Sequence, residues 1–288
     1  MKRQMKIYLL NDTSGSHAGC DAVMEVLNKF LSPYDVIGKC KTHTQKIDEF
    51  SFTNAEAIVI NGEGTLHDDQ DEARFLMSMI AQAQRMNIRT VLLNALYERM
   101  PDTYNNLVSK IDYISARDPS SFANFKKCGS QNVYLFPDLS LQYTLPKEPN
   151  PNERIEIALG DLHPDADISN KGVFYQLPFP SLHLNKSFSD LVRELEKTKI
   201  YITGQFHGLC AAILAGARFV PIVSNTSKIE SLIKWSKLDI PVVSDMSELT
   251  SALFFAKHNR DIYKDFSEFI LSKKQFNEKE MEKALYGS

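Results

Sequence analysis

The residues whose types and spacing can do chemistry stand where short apolar runs stop. The run Ile7–Leu10 gives way to Asn11-Asp12-Thr13-Ser14-Gly15-Ser16-His17-Ala18-Gly19-Cys20-Asp21, a polar turn with two glycines that opens a helix. Such a turn presents backbone N–H groups and a positive helix end to an anion, or else is a capped connection in which Ser or Asp satisfies those N–H groups. Ala57–Ile60 leads into Asn61-Gly62-Glu63-Gly64-Thr65-Leu66-His67-Asp68-Asp69. Two glycines flanking a carboxylate let the backbone approach a ligand while Glu63 rises above the sheet edge. The competing reading makes Glu63 a loop carboxylate satisfied by nearby N–H groups, and Asp68 and Asp69 acids complementing the next helix N-terminus. Asp69-Gln70-Asp71 has a spacing suited to a divalent cation but falls where helix-starting acids belong, so no metal is assigned. Arg117, in Ser115-Ala116-Arg117-Asp118-Pro119, either clamps a carboxylate or phosphate with its planar fork or pairs with Asp118. Pro137-Asp138 leaves a further carboxylate at a strand end.

The second half repeats the arrangement. Tyr201-Ile202-Thr203-Gly204-Gln205-Phe206-His207-Gly208 places a strand end and a glycine before a small-residue helix with His207 on its first turn. There the helix dipole favours neutral imidazole, which can donate to, or exchange a proton with, an anionic substrate; a packed, satisfied histidine is the alternative. Ser224-Asn225-Thr226-Ser227-Lys228 is a hydroxyl-rich helix start followed by an ammonium, a phosphate site or an N-cap completed by Glu230 as a capping box. His163 reads as a surface-turn histidine, and His17, His43, His67 and His183 lie on separate loops without the i,i+4 spacing of a helical metal site. Neither a Gly-x-Ser-x-Gly elbow nor a P-loop lysine is present, which argues against serine-hydrolase and P-loop kinase chemistry.

The elements that must position these residues alternate throughout between β-branched runs and stretches of helical periodicity, the pattern of parallel strands joined by crossover helices. The spacing predicts strands at Met5–Leu10, Val36–Lys39, Ala57–Asn61, Thr90–Asn94, Tyr113–Ala116 and Val133–Phe136, then Ile155–Leu159, Lys199–Thr203, Arg218–Ile222 and Pro241–Val243. Helices are expected between them, and Arg260–Leu285 reads as one amphipathic helical segment. The segment 144–153, with three prolines and no periodicity, marks a linker at 146–153. The expected architecture is two Rossmann-like α/β domains, 1–145 and 154–288, with parallel sheets facing a central cleft, ligands at the strand carboxyl ends, and the last helix free to cross back.

Composition narrows the function. The 288 residues carry Lys+Arg 33 against Asp+Glu 36, a formal charge of -3, so no basic block exists to displace counterions from nucleic acid. Cys20, Cys40, Cys128 and Cys210 are widely spaced without a CxxC pair, which suits reduced thiols in the cytoplasm. Ile7–Leu10 is too short for a signal-peptide core, and the longest apolar tract, Gly208–Val223, holds Arg218 and falls short of the roughly 20 residues that span a bilayer. The expected place is the cytoplasm, with any membrane contact peripheral at its inner face.

Taken in order, these elements resemble the polysaccharide pyruvyl transferases, two-domain enzymes of GT-B-like architecture. The match rests on the Asn11–Asp21 turn, Asn61-Gly62-Glu63-Gly64-Thr65, Ala116-Arg117-Asp118 with Ser121, Pro137-Asp138, and Thr203-Gly204-Gln205-Phe206-His207-Gly208 followed by Ala215-Gly216-Ala217 and Lys228. The resemblance implies a metal-independent transferase of exopolysaccharide or capsule biosynthesis. Its donor substrate would be phosphoenolpyruvate, no cofactor is needed, and a glycan or lipid-linked saccharide receives a ketal. It makes His207 the acid or phosphate donor, Glu63 a base toward the sugar, and Arg117 and Lys228 the clamps. Gln205, Phe206, Gly208, Ser224, Thr226 and Ser227 join the donor side, and Asn11, Ser16, His17, Asn61, Gly62, Gly64, Thr65 and Asp68 the acceptor side. One departure stands out: Gln205 occupies the place where members usually carry arginine, and glutamine brings no charge and no bidentate fork. The alternative reading is therefore a GT-B glycosyltransferase using a UDP-, GDP- or CMP-sugar in the same site.

Overall fold

The computed structural model describes residues 4–41, 45–145 and 155–287. The expected linker at 146–153 and His43 lie outside the described residues. The chain forms two compact units, one of 1–14, 23–139 and 274–288, the other of 15–22 and 140–273. These differ from the expected 1–145 and 154–288 division at 15–22, 140–145 and 274–288.

The first unit contains β1 (Lys6–Leu10), most of α1 (Ala18–Leu31), β2 (Asp35–Cys40), α2 (Glu49–Thr53), β3 (Ala57–Asn61), β4 (Leu66–His67), α3 (Asp71–Arg85), β5 (Arg89–Ala95), β6 (Tyr97–Glu98), α4 (Asn105–Val108), β7 (Tyr113–Ala116), α5 (Pro119–Lys127) and β8 (Val133–Leu135). Its six-stranded sheet runs β2-β1-β3-β5-β7-β8, all neighbours parallel. Every residue of β3 and of β7 is buried, as strands covered by helices on both faces require. α5 starts where Asp118 accepts from the Ser121 backbone N–H and Pro119 sits in the first turn. In this order the chain reverses direction across the sheet between β1 and β3, so a crevice at their carboxyl ends is the place such sheets bind ligands.

The second unit contains β9 (Ile155–Leu159), α6 (Lys171–Phe174), α7 (Phe188–Glu196), β10 (Thr198–Thr203), α8 (Phe206–Ala215), β11 (Arg218–Pro221), α9 (Lys228–Ser236), α10 (Leu249–His258) and α11 (Arg260–Leu271). Its parallel sheet runs β11-β10-β9. α7 buries Phe188, Leu191, Val192 and Leu195, an i, i+3, i+4, i+7 stripe begun by the Ser187 cap. The expected strand Pro241–Val243 reduces to one parallel bridge, Ile222 to Val243; proline has no N–H for a ladder.

The expected continuous helix over 260–285 is two helices, α11 and α12 (Glu278–Tyr286), and α12 belongs to the first unit. The break comes where Asn277 caps α12 by accepting from the Glu280 N–H and Phe276 turns inward against Phe30, Tyr113 and Phe136. The Tyr113 hydroxyl donates to Glu280 at 2.9 Å and Arg89 Nε to the Ala284 carbonyl at 2.6 Å, which fixes α12 on β5 and β7.

Candidate functional site

The residues singled out by sequence fall into two sets, one in each unit. In the first unit, the carboxyl ends of β1 and β3 carry an interlocked polar group. Asn11, in the left-handed region at φ 59°, donates to the Asn61 carbonyl at 2.7 Å and to Thr65 Oγ1 at 2.9 Å. Glu63 is 4% exposed, and its Oε2 accepts from the Thr13 hydroxyl at 2.6 Å and from Asn61 Nδ2 at 3.0 Å. The partners that hold this carboxylate thus include side chains of two strand ends, whereas the sequence suggested loop N–H groups. Thr13, which no spacing argument singled out, closes the group from β1. Asn61 Oδ1 is buried without a hydrogen-bond partner among the described residues. Gly62 is required by packing, since a Cβ there would sit 2.6 Å from that of Ala95.

Arg117 is 2% exposed and pairs at 3.2 Å with Asp138, which also accepts from Asn94 Nδ2 at 3.2 Å. Asp118, the partner considered from sequence, instead caps α5 through the Ser121 N–H and hydroxyl. Gly64 lies over the guanidinium, whose terminal nitrogen would be 3.5 Å from a Cβ at that position. Asp68 does not complement the α3 N-terminus. It accepts a two-point ion pair from Arg99, at 2.5 and 2.7 Å, and contacts His67 at 2.8 Å. Hydrogen bonding from Arg99, then from His67, outweighs burial and holds its carboxyl down to about 2. Asp69 likewise turns to Arg74 and to the Tyr104 hydroxyl.

In the second unit the carboxyl end of β10 delivers α8. Gln205 stands at its N-cap position without a side-chain cap bond, and donates from Nε2 to the Leu162 carbonyl at 3.3 Å. Phe206 is in the hydrophobic core and Gly208 lets α8 approach β10, since a Cβ at 208 would lie 2.7 Å from Thr203 Oγ1. These two expected donor-side residues therefore place the helix. His207 is 6% exposed in the first turn. The capping box expected at α9 is not formed, because its N-cap Ser227 makes no side-chain cap bond. Lys228 is buried and donates to Asn225 Oδ1 at 2.6 Å, Ser224 donates to the same oxygen at 3.3 Å, and Thr226 Oγ1 is buried without a partner among the described residues. A helix start whose N-cap residue makes no side-chain cap bond, a buried hydroxyl and an ammonium are the elements of a phosphate cradle.

Ser16 and His17, grouped by sequence with the first strand, belong to the second unit. The His17 ring lies 5.3 Å from that of His207, centroid to centroid. His17, Ser16, Gln205, Asp161 and Lys186 line a pocket of about 430 Å³. Cys20 completes the cluster, its Sγ 3.3 Å from His17 Nε2. Spacing alone could not find it, because the sequence separation between Cys20 and His207 is closed only by the fold. Donor atoms of His17, Cys20 and His207 lie within 4.8 Å of one another. His17 Nδ1 accepts from the Gly19 N–H at 3.1 Å and the Cys20 N–H at 3.4 Å.

The profile of the polysaccharide pyruvyl transferases matches residues 17–226, a span that takes in the Asn61–Thr65 loop of the first unit and the His207 helix of the second. The chain belongs to the polysaccharide pyruvyl transferase family. No curated protein matches it. Among solved structures, the Staphylococcus aureus MnaA–UDP co-structure is similar at 11% identity and a TM-score of 0.59, covering 97% of this chain and 94% of that one. A putative UDP-N-acetylglucosamine 2-epimerase of Listeria monocytogenes is similar at 8% identity and 0.58, covering 92% and 91%. Arabidopsis thaliana UGT89C1 complexed with UDP-L-rhamnose is similar at 8% and 0.56, covering 99% of each chain. The shared fold is the GT-B fold, and this member of the pyruvyl transferase family is a transferase built on it. No described helix is long and apolar enough to cross a membrane.

Proposed function

We propose that this pyruvyl transferase family member moves the pyruvyl group of phosphoenolpyruvate onto two hydroxyls of one sugar in a surface glycan, free or lipid-linked, in the cytoplasm or at the inner membrane face. The observation that carries the reading is the family match across 17–226, which includes His207 on the first turn of α8. In this chemistry a proton reaches the methylene carbon as one sugar hydroxyl adds to C2. The C2–O bond to phosphate then breaks with its electron pair on oxygen, and the second hydroxyl closes the ketal. Two hydroxyl protons are lost, one is consumed at carbon, and the other leaves with phosphate. His207 serves as the acid. Lys228 and the α9 N-terminus hold phosphate, helped by the Thr226, Ser227 and Ser224 hydroxyls. Glu63, oriented by Thr13 and Asn61, is the base toward the sugar. Arg117 acts through its pairing with Asp138, positioning the Gly62–Gly64 loop above it.

Gln205 favours a second reading. A donor phosphate held by helix N-termini and neutral donors, without a guanidinium, suits a nucleotide-activated sugar, and the GT-B relatives include UDP-bound structures. Thermal unfolding with phosphoenolpyruvate, UDP, GDP, CDP and CMP separates the two. A ligand of the folded state at about 100 times its dissociation constant adds about 2.7 kcal/mol. Stabilisation by phosphoenolpyruvate, with acceptor-dependent phosphate release, is expected; stabilisation by one nucleotide alone transfers the assignment to glycosyl transfer. His207→Ala is expected to unfold at the wild-type temperature and to lose about 10²- to 10⁴-fold in turnover, and unchanged turnover would remove His207 from the chemistry.

A further inference from the structure

At the amino edge of the second unit's sheet, where β10 and β11 begin, lies a cavity of about 750 Å³, opposite the carboxyl ends that deliver α8 and α9. A cavity of that size suits a small-molecule ligand. Its walls are the strand starts, the last turns of α7, α8 and α10, and one face of α11. Six cations line it, Lys197, Lys199, Arg218, Lys257, Arg260 and Lys264, against the carboxylates of Glu196 and Glu268. Lys199 pairs with Glu156, and Lys264 with Glu268 at 3.7 Å. Arg218 donates from Nε to the Lys199 carbonyl at 3.3 Å and from Nη1 to the Ala256 and Lys257 carbonyls at 3.1 and 2.9 Å, so its Nη2 makes no bond among the described residues. Lys197, Lys257 and Arg260 make no ion pair among the described residues. Helix dipoles account for part of this charge, since Lys197 and Lys257 stand at the ends of α7 and α10, where cations are favoured. They do not account for Arg260, in the first turn of α11, where the dipole disfavours a cation. Nor do they account for Tyr263, which lines the cavity at 2% exposure with its ring edge-on to Phe219 and Phe255, and whose hydroxyl has no hydrogen-bond partner among the described residues. Burial raises the pKa of that hydroxyl while the Arg218 charge pulls it down, which places it within the field of the guanidinium.

We propose that this cavity is a binding site for a diphosphate group, separate from the transfer site and independent of the donor used there. The Tyr263 hydroxyl, the buried Ser267 hydroxyl one turn further along α11, and Arg218 Nη2 supply hydrogen bonds to the phosphate oxygens. Lys197, Lys257 and Arg260 supply charge from three different elements. A hydroxyl buried without a partner costs free energy, and a phosphate oxygen beside it removes that cost. Four of the cations have no carboxylate partner and Glu196 offsets one, which leaves more positive charge than the about −2 of a single phosphate monoester neutralises. Two linked phosphates fit that balance better than one. Such a group occurs in free anions, as in pyrophosphate or a nucleoside diphosphate, and as the link between a lipid and a saccharide; the cavity recognises the same chemistry in each.

The test is titration of the isotope-labelled full-length chain with sodium pyrophosphate, read at individual amide resonances. Saturable shifts are expected at Gly216, Lys264 and Ser267, which line the cavity. Pyrophosphate entering the α9 helix start is read separately, at Ser227 and Lys228, so failure of one site leaves the other measurable. Arg260→Gln combined with Lys264→Gln, both exposed, is expected to leave the unfolding temperature unchanged and to weaken binding in the cavity severalfold, by less as salt is raised. Tyr263→Phe is expected to weaken it about tenfold, while the ligand-free variant unfolds at or above the wild-type temperature because no hydrogen bond is lost. Cosedimentation with phosphatidylcholine vesicles carrying undecaprenyl diphosphate identifies the source. Recruitment that the Arg260→Gln, Lys264→Gln protein loses assigns the cavity to a lipid-linked diphosphate, and a pyrophosphate response without recruitment assigns it to a free one. The proposal is overturned if pyrophosphate produces no saturable shift at Gly216, Lys264 and Ser267, or if the midpoint of those shifts is the same in wild type and both variants.

Discussion

At the scale of single residues, the side chains with chemical potential divide by what already holds them. Arg117 is committed to Asp138 in a buried pair, and removing one partner of such a pair leaves an uncompensated charge costing about 3–5 kcal/mol. Asp68 shows the opposite case, a partly exposed carboxylate whose pairing is read through pH. Its folded-state pKa lies below the unfolded one, so its contribution is fully present above about pH 4 and is lost as pH falls towards 2. Arg99→Gln is therefore expected to lower the urea midpoint at about pH 7 and to converge on wild type as pH approaches 2; a deficit that stays constant with pH would show that Asp68 is not the group concerned. Gly19 makes a second residue-scale prediction. Alanine there improves helix propensity by about 1 kcal/mol, yet its Cβ must displace His207, and overpacking of this kind costs about 1–3 kcal/mol. Gly19→Ala is expected to fold, to move the His207 ring resonances and to lose activity, although its methyl touches no substrate. An unchanged His207 spectrum would contradict the packing described.

At the scale of elements, two devices position the chemistry. The first is the strand end with an unusual backbone: Asn11 and Glu63 both take positive φ, which turns the chain sharply off β1 and β3 so that Thr13, Asn61 and Glu63 can interlock. The second is α12, which covers the first sheet from the far end of the chain. Phe276 is 2% exposed among Phe30, Tyr113 and Phe136. Phe276→Ala is expected to cost about 3–5 kcal/mol, with hydrogen exchange faster in β5 and β7, the strands that Arg89 and Tyr113 tie to this helix. Loss confined to α12 itself would mean that the helix is an appendage and not part of the core.

At the scale of the whole molecule, two hydrophobic cores among the described residues share no residue. Leu209 lies in one and Leu92 in the other, each completely buried. Leu209→Ala is expected to cost about 2–5 kcal/mol and to speed exchange in the amides of β9, β10 and β11 more than in β3 and β5, with Leu92→Ala showing the reverse. Equal effects on both sheets from either substitution would show a single cooperative unit. The family match over 17–226 includes Asn61, Glu63 and Arg117 of the first unit and His207 of the second.

The sequence by itself determined the class of fold, because uninterrupted apolar runs such as Ala57–Ile60 and Val91–Leu93 separated by amphipathic stretches have few stable arrangements besides a covered parallel sheet. It also determined the family, since glycine, carboxylate and histidine at strand ends recur in a fixed order along the chain. Partners were decided by the tertiary structure alone. Spacing could not choose Asp138 over Asp118 for Arg117, or Arg99 for Asp68, because charge pairing depends on distances closed by other strands. Nor could it assign Gly15–Ala22 to the second unit, break the C-terminal helical segment between Leu271 and Glu278, or bring Cys20 beside His207. Periodicity records which face of an element is buried; what it is buried against is a property of the folded chain.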